Sequence, residues 1–436
     1  MPILAAAKAS AIPASRSSAT LFWLVVLYLF FEFGRPQEIL PAIGTLHLPG
    51  LLTALLTLAL CGFNRLSFSD TPTRLFAGLL ALMALHIPIA LNNYWALQTA
   101  RTMLGTFIAY LAVIAYADSL RRIATLVTAW LGIHVYLAIF GIVNEGRGVG
   151  GFLSDDNDFA MILDMVFPFA FFLALADRRR LHRVAYCALM LLFTVAAVLT
   201  HSRGGFLALA GTALYCWLRS PAKALSAALL GLSVLFIAYV APSTYWARIQ
   251  TIQDGTQDAT GEDRVYEWRI GWRMFLDNPI MGVGQGNFPF EFRRYEVASG
   301  FPEGLHGRSR AGRAAHSMYF TLLPELGLFG TTLWLLILYH FFRDTRLSRL
   351  LIRRARGAPP AGRSVPLSIP RSTRGPSERE KAFHLTLAFE ASAVASLISG
   401  LFISVLYYPS LWLLVGFAVA LRKAVARTCE NDPSPY

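Results

Sequence analysis

The sequence predicts an all-α polytopic membrane protein of about twelve transmembrane helices, with one large polar loop between spans 9 and 10. Three observations carry this. Apolar runs of about 18 residues or more, long enough to cross the hydrocarbon core as helices, recur along the chain. Only 15% of the 436 residues are charged and 55% are hydrophobic, with a mean hydropathy of +0.50; ordinary soluble domains carry about 25% charged residues. A polar stretch from Ala241 to Ala315 interrupts the runs late in the chain, and such a block between spans must sit in water on one side of the membrane.

The predicted spans run over 19–33, 47–64, 74–91, 99–117, 122–143, 159–176, 182–200, 204–219, 223–241, 317–341, 383–406 and 410–421. The last is short and needs tilt, or snorkelling of Arg422 and Lys423. The chain therefore divides into 1–241 with spans 1–9, the large loop 242–315, span 10 within 316–342, a basic loop 343–382, and 383–436 with spans 11 and 12 and a tail. Span 1 follows Met1 to Thr20 and leads into Phe33-Gly34-Arg35-Pro36 with no small-residue cleavage site, so it reads as a retained span rather than a signal peptide.

Orientation follows from Lys and Arg in the short loops. With the N-terminus inside, the inner connections hold Arg65 and Arg74; Arg121 and Arg122; Arg178, Arg179, Arg180 and Arg183; Arg219 and Lys223. Arg343 to Lys381 add eleven more, and the tail adds Arg422, Lys423 and Arg427. The opposite short loops hold Arg35, Arg101, Arg147 and Arg203. This positive-inside asymmetry places both termini in the cytoplasm and the large loop outside, which in a bacterium with two membranes is the periplasm. It also accounts for the net charge of +13 without a nucleic-acid partner. The segment 353–379, rich in Pro, Gly, Ser and Arg, reads as a disordered, solvated basic linker within reach of anionic membrane lipids. Cys61, Cys187, Cys216 and Cys429 show no Cys-x-x-Cys or zinc-like spacing. Glu32, Asp164 and Glu390 are costly in lipid and are expected to face the bundle interior.

The outward segments hold the residues suited to chemistry. Arg203 lies in a short turn between two apolar runs, Ser202-Arg203-Gly204-Gly205. Its forked, permanent charge suits a phosphate or diphosphate, and it equally suits a snorkelling anchor. The two glycines permit a close turn or a close approach to the backbone. Glu262 to Leu276 reads as an amphipathic helix with Val265, Trp268, Trp272 and Phe275 on one face; Tyr266, Arg269 and Arg273 lie on a neighbouring face and Arg264 on the other flank. The glycine run Gly282 to Asn287 has neither a Walker lysine nor a strand–helix frame, so it reads as a tight packing turn. His316 sits where the loop re-enters the membrane, after Arg308, Arg310 and Arg313, and a histidine can exchange a proton near neutral pH. Asp155, Asp156 and Asp158 precede span 6, where acidic groups cap a helix; capping is preferred to cation binding.

Taken together, these residues resemble the bacterial O-antigen ligase and polymerase superfamily. The resemblance rests on Ser202-Arg203-Gly204-Gly205, on Arg264-x-x-x-Trp268 running into Asn278-Pro279-x-x-Gly282-x-Gly284-x-Gly286-Asn287-Phe288, and on His316-x-x-Tyr319 followed by Glu325-x-Gly327-x-x-Gly330. Arg35-Pro36-Gln37-Glu38 and Asp156-Asn157-Asp158-Phe159 resemble a subgroup, the O-glycosylation ligases found beside exosortase systems. The resemblance implies transfer of a glycan, outside the inner membrane, from a polyprenyl diphosphate carrier to an acceptor hydroxyl, with no nucleotide sugar, cofactor or metal. It implies His316 as base, Arg203, Arg264 and Arg269 as diphosphate-binding groups, and Ser202, Tyr319, Glu325 and Arg35 in support. A polysaccharide polymerase would share the donor chemistry with a second lipid-linked glycan as acceptor. A flippase or transporter would need paired halves with interrupted helices, and no such pairing is visible.

Overall fold

A computed structural model of the chain describes residues 16–240, 245–246, 250, 259–355 and 377–430. Among these the fold is helical, with one isolated bridge between Leu305 and Arg308 and no strand. The helices are α1 Arg16–Leu29, α2 Leu48–Gly62, α3 Thr71–His86, α4 Asn93–Tyr116, α5 Leu120–Val143, α6 Asp156–Ala176, α7 Arg180–Leu199, α8 Arg203–Arg219, α9 Lys223–Val240, α10 Ala259–Asp277, α11 Phe288–Ala298, α12 Tyr319–Arg354, α13 Glu378–Ser399 and α14 Pro409–Glu430. A π-turn, Phe30–Gly34, closes α1.

Each predicted span coincides with one of these helices. Eight of the helices are long and apolar enough to cross a membrane, and those for the remaining four predicted spans (α1, α3, α8 and α9) are shorter or less clearly so. The sequence is apolar all round on α6, and α6 is the buried axis of the bundle, enclosed by α5, α7, α8 and α13. Asp164 and Glu390 are buried as expected, whereas Glu32 is half-buried.

Two predicted boundaries change. Span 10 was expected to end at 341 and a loop to run over 343–382; instead α12 continues to Arg354 and α13 begins at Glu378. Hydropathy falls there because polar residues are buried with partners, not because the helix stops. Arg349 and Arg219 reach Glu390 at 2.6 Å and 2.9 Å, and the Thr345 hydroxyl donates to it at 2.7 Å. Arg422 bridges Asp70 at 2.6 Å and Asp344 at 3.0 Å, which also carries α14 past the predicted end at 421. Most of the basic linker expected over 353–379 lies outside the described residues, as does the start of the large loop after 240.

Inside α12 the backbone breaks at Gly327, with φ 61 and ψ −165, a conformation that requires glycine. Pro324 has no N–H to offer the preceding turn. The freed groups pair with the stretch after α10. Val283 and Gly284 N–H donate to the carbonyls of Pro324 and Glu325 at 2.8 Å and 2.9 Å, and Leu328 and Phe329 N–H donate to those of Pro279 and Ile280 at 2.8 Å and 3.1 Å. The glycine run is thus a packing element that docks the outer loop into the bundle. Gln285, buried, finishes the joint by donating to Met83 and Ala96 carbonyls at 2.8 Å and 3.0 Å.

The amphipathic helix is present as α10, but its buried face differs from the one expected. Tyr266, Ile270 and Met274 pack against Phe288, Phe292, Tyr295 and Ala315, while Trp272 is 47% exposed. Tyr266 counted as polar in the pattern, yet its hydroxyl is satisfied by Glu296 at 2.8 Å, so burying the ring costs no hydrogen bond.

Candidate functional site

At the N-terminal ends of α6 and α8, two caps interlock. The Asp155 carboxylate accepts the Asn157 and Asp158 N–H groups at 2.8 Å and 3.3 Å, capping α6. The Ser202 hydroxyl accepts the Gly205 N–H at 2.8 Å, capping α8, and donates to Asn157 at 2.7 Å. Asp158 is bonded to the Tyr408 hydroxyl at 2.6 Å. The acidic cluster therefore caps and braces, as the helix-terminus reading expects.

The glycines after Arg203 serve helix packing. A Cβ on Gly204 would stand 2.9 Å from Phe402, and one on Gly205 would collide with Ala160. Arg203 is the first residue of α8 and is half-buried. The Arg264 guanidinium lies over the ring of the same Phe402 at 5.9 Å. Phe402 is thus a shared neighbour of the Arg203 turn and Arg264.

His316 has φ 46, a left-handed residue that redirects the chain into α12. Its turn is clamped on both sides. Met318 N–H donates to Gly400 at 2.7 Å, and the Trp268 indole N–H donates to the Ala315 carbonyl at 3.0 Å. The imidazole is half-buried, and burial lowers its proton affinity below the ordinary value; Arg264 lowers it further, Asp155 pulls the other way, and Arg313 and Arg310 add to the lowering. Those charges define the site: Arg264 from α10, Arg310 and Arg313 from the segment before α12, and Asp155 from the cap of α6. Arg310 is ion-paired with Asp263.

The other expected residues fall elsewhere. Arg269 is exposed and lies roughly 140° round α10 from Arg264, so the two share no face; the arginines acting on His316 are Arg264, Arg313 and Arg310. The Tyr319 hydroxyl donates to the Leu397 carbonyl at 2.8 Å and ties α12 to α13. Glu325 accepts from Gly286 N–H, Phe288 N–H and the Tyr407 hydroxyl at 2.7, 2.9 and 2.7 Å, so it props the glycine run. Arg35 pairs with Glu38 at 2.7 Å and lies over Phe152 at 4.8 Å; Phe152 in turn packs on Tyr408. It braces the outer edge one layer from Asp155.

Two acidic residues were missed in the sequence. Glu296, fully buried on α11, binds the Ser309 hydroxyl at 2.5 Å, Arg293 at 2.8 Å and Tyr266, and accepts the Arg310 N–H at 3.2 Å. Burial alone would raise its carboxyl, but the donors from Ser309, Arg293, Tyr266 and Arg310 hold it below the usual range. Glu267 is 1% exposed, and its Oε2 is buried without a hydrogen-bond partner. The available signal for Glu267 was its spacing, three residues after Arg264 on a helix.

Residues 187–335 match the family model of the O-antigen ligases. The matched stretch includes Arg203, Arg264, Arg269, His316, Tyr319 and Glu325, and leaves out Arg35 and the Asp155 cap. It supports a membrane enzyme of the ligase or polymerase type that acts on lipid-linked glycans. No curated protein matches the chain.

Proposed function

We propose that this chain is an O-antigen ligase-like membrane glycosyltransferase that moves a glycan from a polyprenyl diphosphate carrier to an acceptor hydroxyl at the periplasmic face of the inner membrane. The observation that carries the reading is the setting of His316. Burial and Arg264 favour its neutral form, so it can accept a proton, and the same arginines that depress it offer positive charge to a leaving diphosphate. The Arg203 turn and Arg264 both pack against Phe402.

In this mechanism the acceptor hydroxyl gives its proton to His316 as its oxygen bonds to the anomeric carbon. The bond from that carbon to the diphosphate oxygen breaks, and its electron pair stays on the diphosphate. Arg203 and Arg264, with Arg313 nearby, stabilise that charge as it develops. A single displacement of this kind inverts the anomeric centre. Guanidinium groups carry the charge that a divalent cation carries elsewhere, and Asp155 and Asp158 are committed to a helix cap and to Tyr408. The subgroup resemblance at Arg35–Glu38 and Asp156–Phe159 favours a ligase, with a lipid or protein acceptor.

The test is reconstitution of the purified protein with a polyprenyl-diphosphate-linked glycan and candidate acceptors, with EDTA present. Transfer to a non-donor hydroxyl, abolished by Arg203→Ala and by Arg264→Ala in folded protein, is expected. Products built only by joining donor to donor identify a polymerase. Near wild-type turnover in both alanine variants places the diphosphate elsewhere.

A further inference from the structure

Glu267 is a buried carboxyl that the transfer reaction does not use. It lies one turn along α10 from Arg264, 1% exposed, with Oε2 lacking a hydrogen-bond partner. A carboxylate buried in this way is strongly disfavoured unless opposite charge is close. The charges that act on it are Arg313, from the segment leading to α12, and Arg264, from its own helix. These are two of the charges that surround His316. Glu267 therefore feels two of the arginines assigned to the donor.

We propose that Glu267 is a positioning residue: its negative charge balances Arg264 and Arg313 in the empty site, and it yields them to the donor diphosphate by taking up a proton, so that donor binding and proton uptake are coupled. The proposal rests on the diphosphate reading of the site. Burial pushes the Glu267 carboxyl up to about 7, with Arg313 and Arg264 pulling it back. A diphosphate drawn to the same guanidiniums adds negative charge beside the carboxyl, and like charge raises its proton affinity further. Above about pH 7 the empty site then holds mostly the carboxylate, and the loaded site the neutral carboxyl. Between the two values binding takes up a proton, and affinity falls as pH rises, by up to about tenfold per pH unit.

The remaining ionisable groups around this position are accounted for. Glu296 on α11 is committed to Ser309, Arg293 and Tyr266, Arg310 to Asp263, and Asp155 to the cap of α6. His316 titrates beside the same arginines, so it needs its own control.

The experiment measures binding of a short-chain polyprenyl-diphosphate-linked sugar to the full-length protein in nanodiscs from pH 6.5 to 9. Each phosphate of such a diester carries one charge throughout, so the ligand adds no titration of its own. Wild type is expected to bind progressively more weakly above pH 7. Glu267→Gln should flatten that dependence and bind about tenfold or more tighter than wild type at pH 8.5, while His316→Gln keeps the slope. Calorimetry of the wild type in buffers of different ionisation heat should show net uptake of more than half a proton near pH 7.5, short of a full one because a carboxyl near 7 is already partly protonated there, which needs no variant to fold. Zero uptake there, a slope retained in Glu267→Gln, or a slope removed by His316→Gln overturns the coupling. If Arg264→Ala binds the probe as well as wild type, the diphosphate reading itself fails. If Arg264→Ala weakens binding while Glu267→Gln changes nothing, only the coupling fails.

Discussion

Trp268 stacks on Phe320 with ring centroids 5.1 Å apart and planes within 2°, and its indole N–H holds the carbonyl of Ala315, the residue before His316. One side chain therefore joins α10, the first turn of α12 and the turn that presents the base. An aromatic pair of this kind is worth about 0.5–1.5 kcal/mol beyond its buried area. Trp268→Phe keeps a ring against Phe320 but loses the hydrogen bond; Trp268→Ala loses both. Turnover should fall by roughly fivefold in the phenylalanine variant, as a hydrogen bond of about 1 kcal/mol would give, and further in the alanine variant, with donor binding retained in both. Equal turnover in the three proteins shows that the His316 turn does not depend on this clamp.

The surroundings of His316 set the sign of its pH dependence. A base must be neutral to act, and burial together with Arg264 shifts its protonation below the ordinary histidine value. The acid limb of the rate profile should therefore lie below the usual histidine range, and activity should be on its plateau at pH 7. General-base assistance is typically worth about 10²–10⁴-fold; His316→Gln should lose that much turnover together with the acid limb. Loss of donor binding instead makes His316 a diphosphate ligand, and inhibition of the wild type by EDTA returns a cation to the mechanism.

What the sequence made legible and what it hid follow from the same physics. Helix positions were legible because lipid-facing and buried helices are both apolar, so the runs that became α2, α5 and α6 could be read directly. The inner half of α12 was hidden because Asp344, Thr345 and Arg349 are buried with charged partners from other helices, and no local pattern shows a distant partner. His316 and Arg203 were visible through their position at the ends of apolar runs, and Arg264 through its place on the flank of the amphipathic helix. Arg269 was given a diphosphate role by the resemblance, but helical geometry turns it to solvent. Arg313 was visible only as part of a basic segment and Glu267 was overlooked, because a loop residue and a single acidic residue on a helix gain meaning only when α10 folds onto α12.

Glu296 organises the outer loop, and its removal is a test of that loop's stability. Glu296→Ala leaves the buried Tyr266 hydroxyl without its acceptor, which alone costs about 1–3 kcal/mol, and frees Ser309, Arg293 and the Arg310 N–H. Cleavage by protease within 299–312 should become faster while the spans stay inserted. The carboxyl is held below its usual range in the folded protein, so its contribution is present above the unfolded carboxylate value near about 4.3 and is lost as pH falls through the lower, folded value. Wild-type loop protection should therefore decline only under strong acidification. A cleavage rate unchanged by the substitution assigns the loop's order to the Tyr266–Phe292–Phe301 packing alone.

The last prediction concerns sidedness, on which the chemistry depends. The helix ends rich in arginine, at Arg121 and Arg122, Arg178 to Arg183, and Arg219, lie at the opposite ends of their helices from the caps of Asp155 and Ser202. The positive-inside rule orients the whole bundle from that contrast. A reporter that is active only after export, fused near Gly300, should be active, and the same reporter near Gly362 should be silent, with a cytoplasmic reporter giving the reverse. Cysteine labelling supplies a second reading: Ala298→Cys, at the exposed end of α11, should react with a membrane-impermeant thiol reagent in intact cells stripped of their outer membrane. If Gly362 proves external and Gly300 internal, His316 faces the cytoplasm, and a lipid-linked glycan presented at the periplasmic face could not reach it.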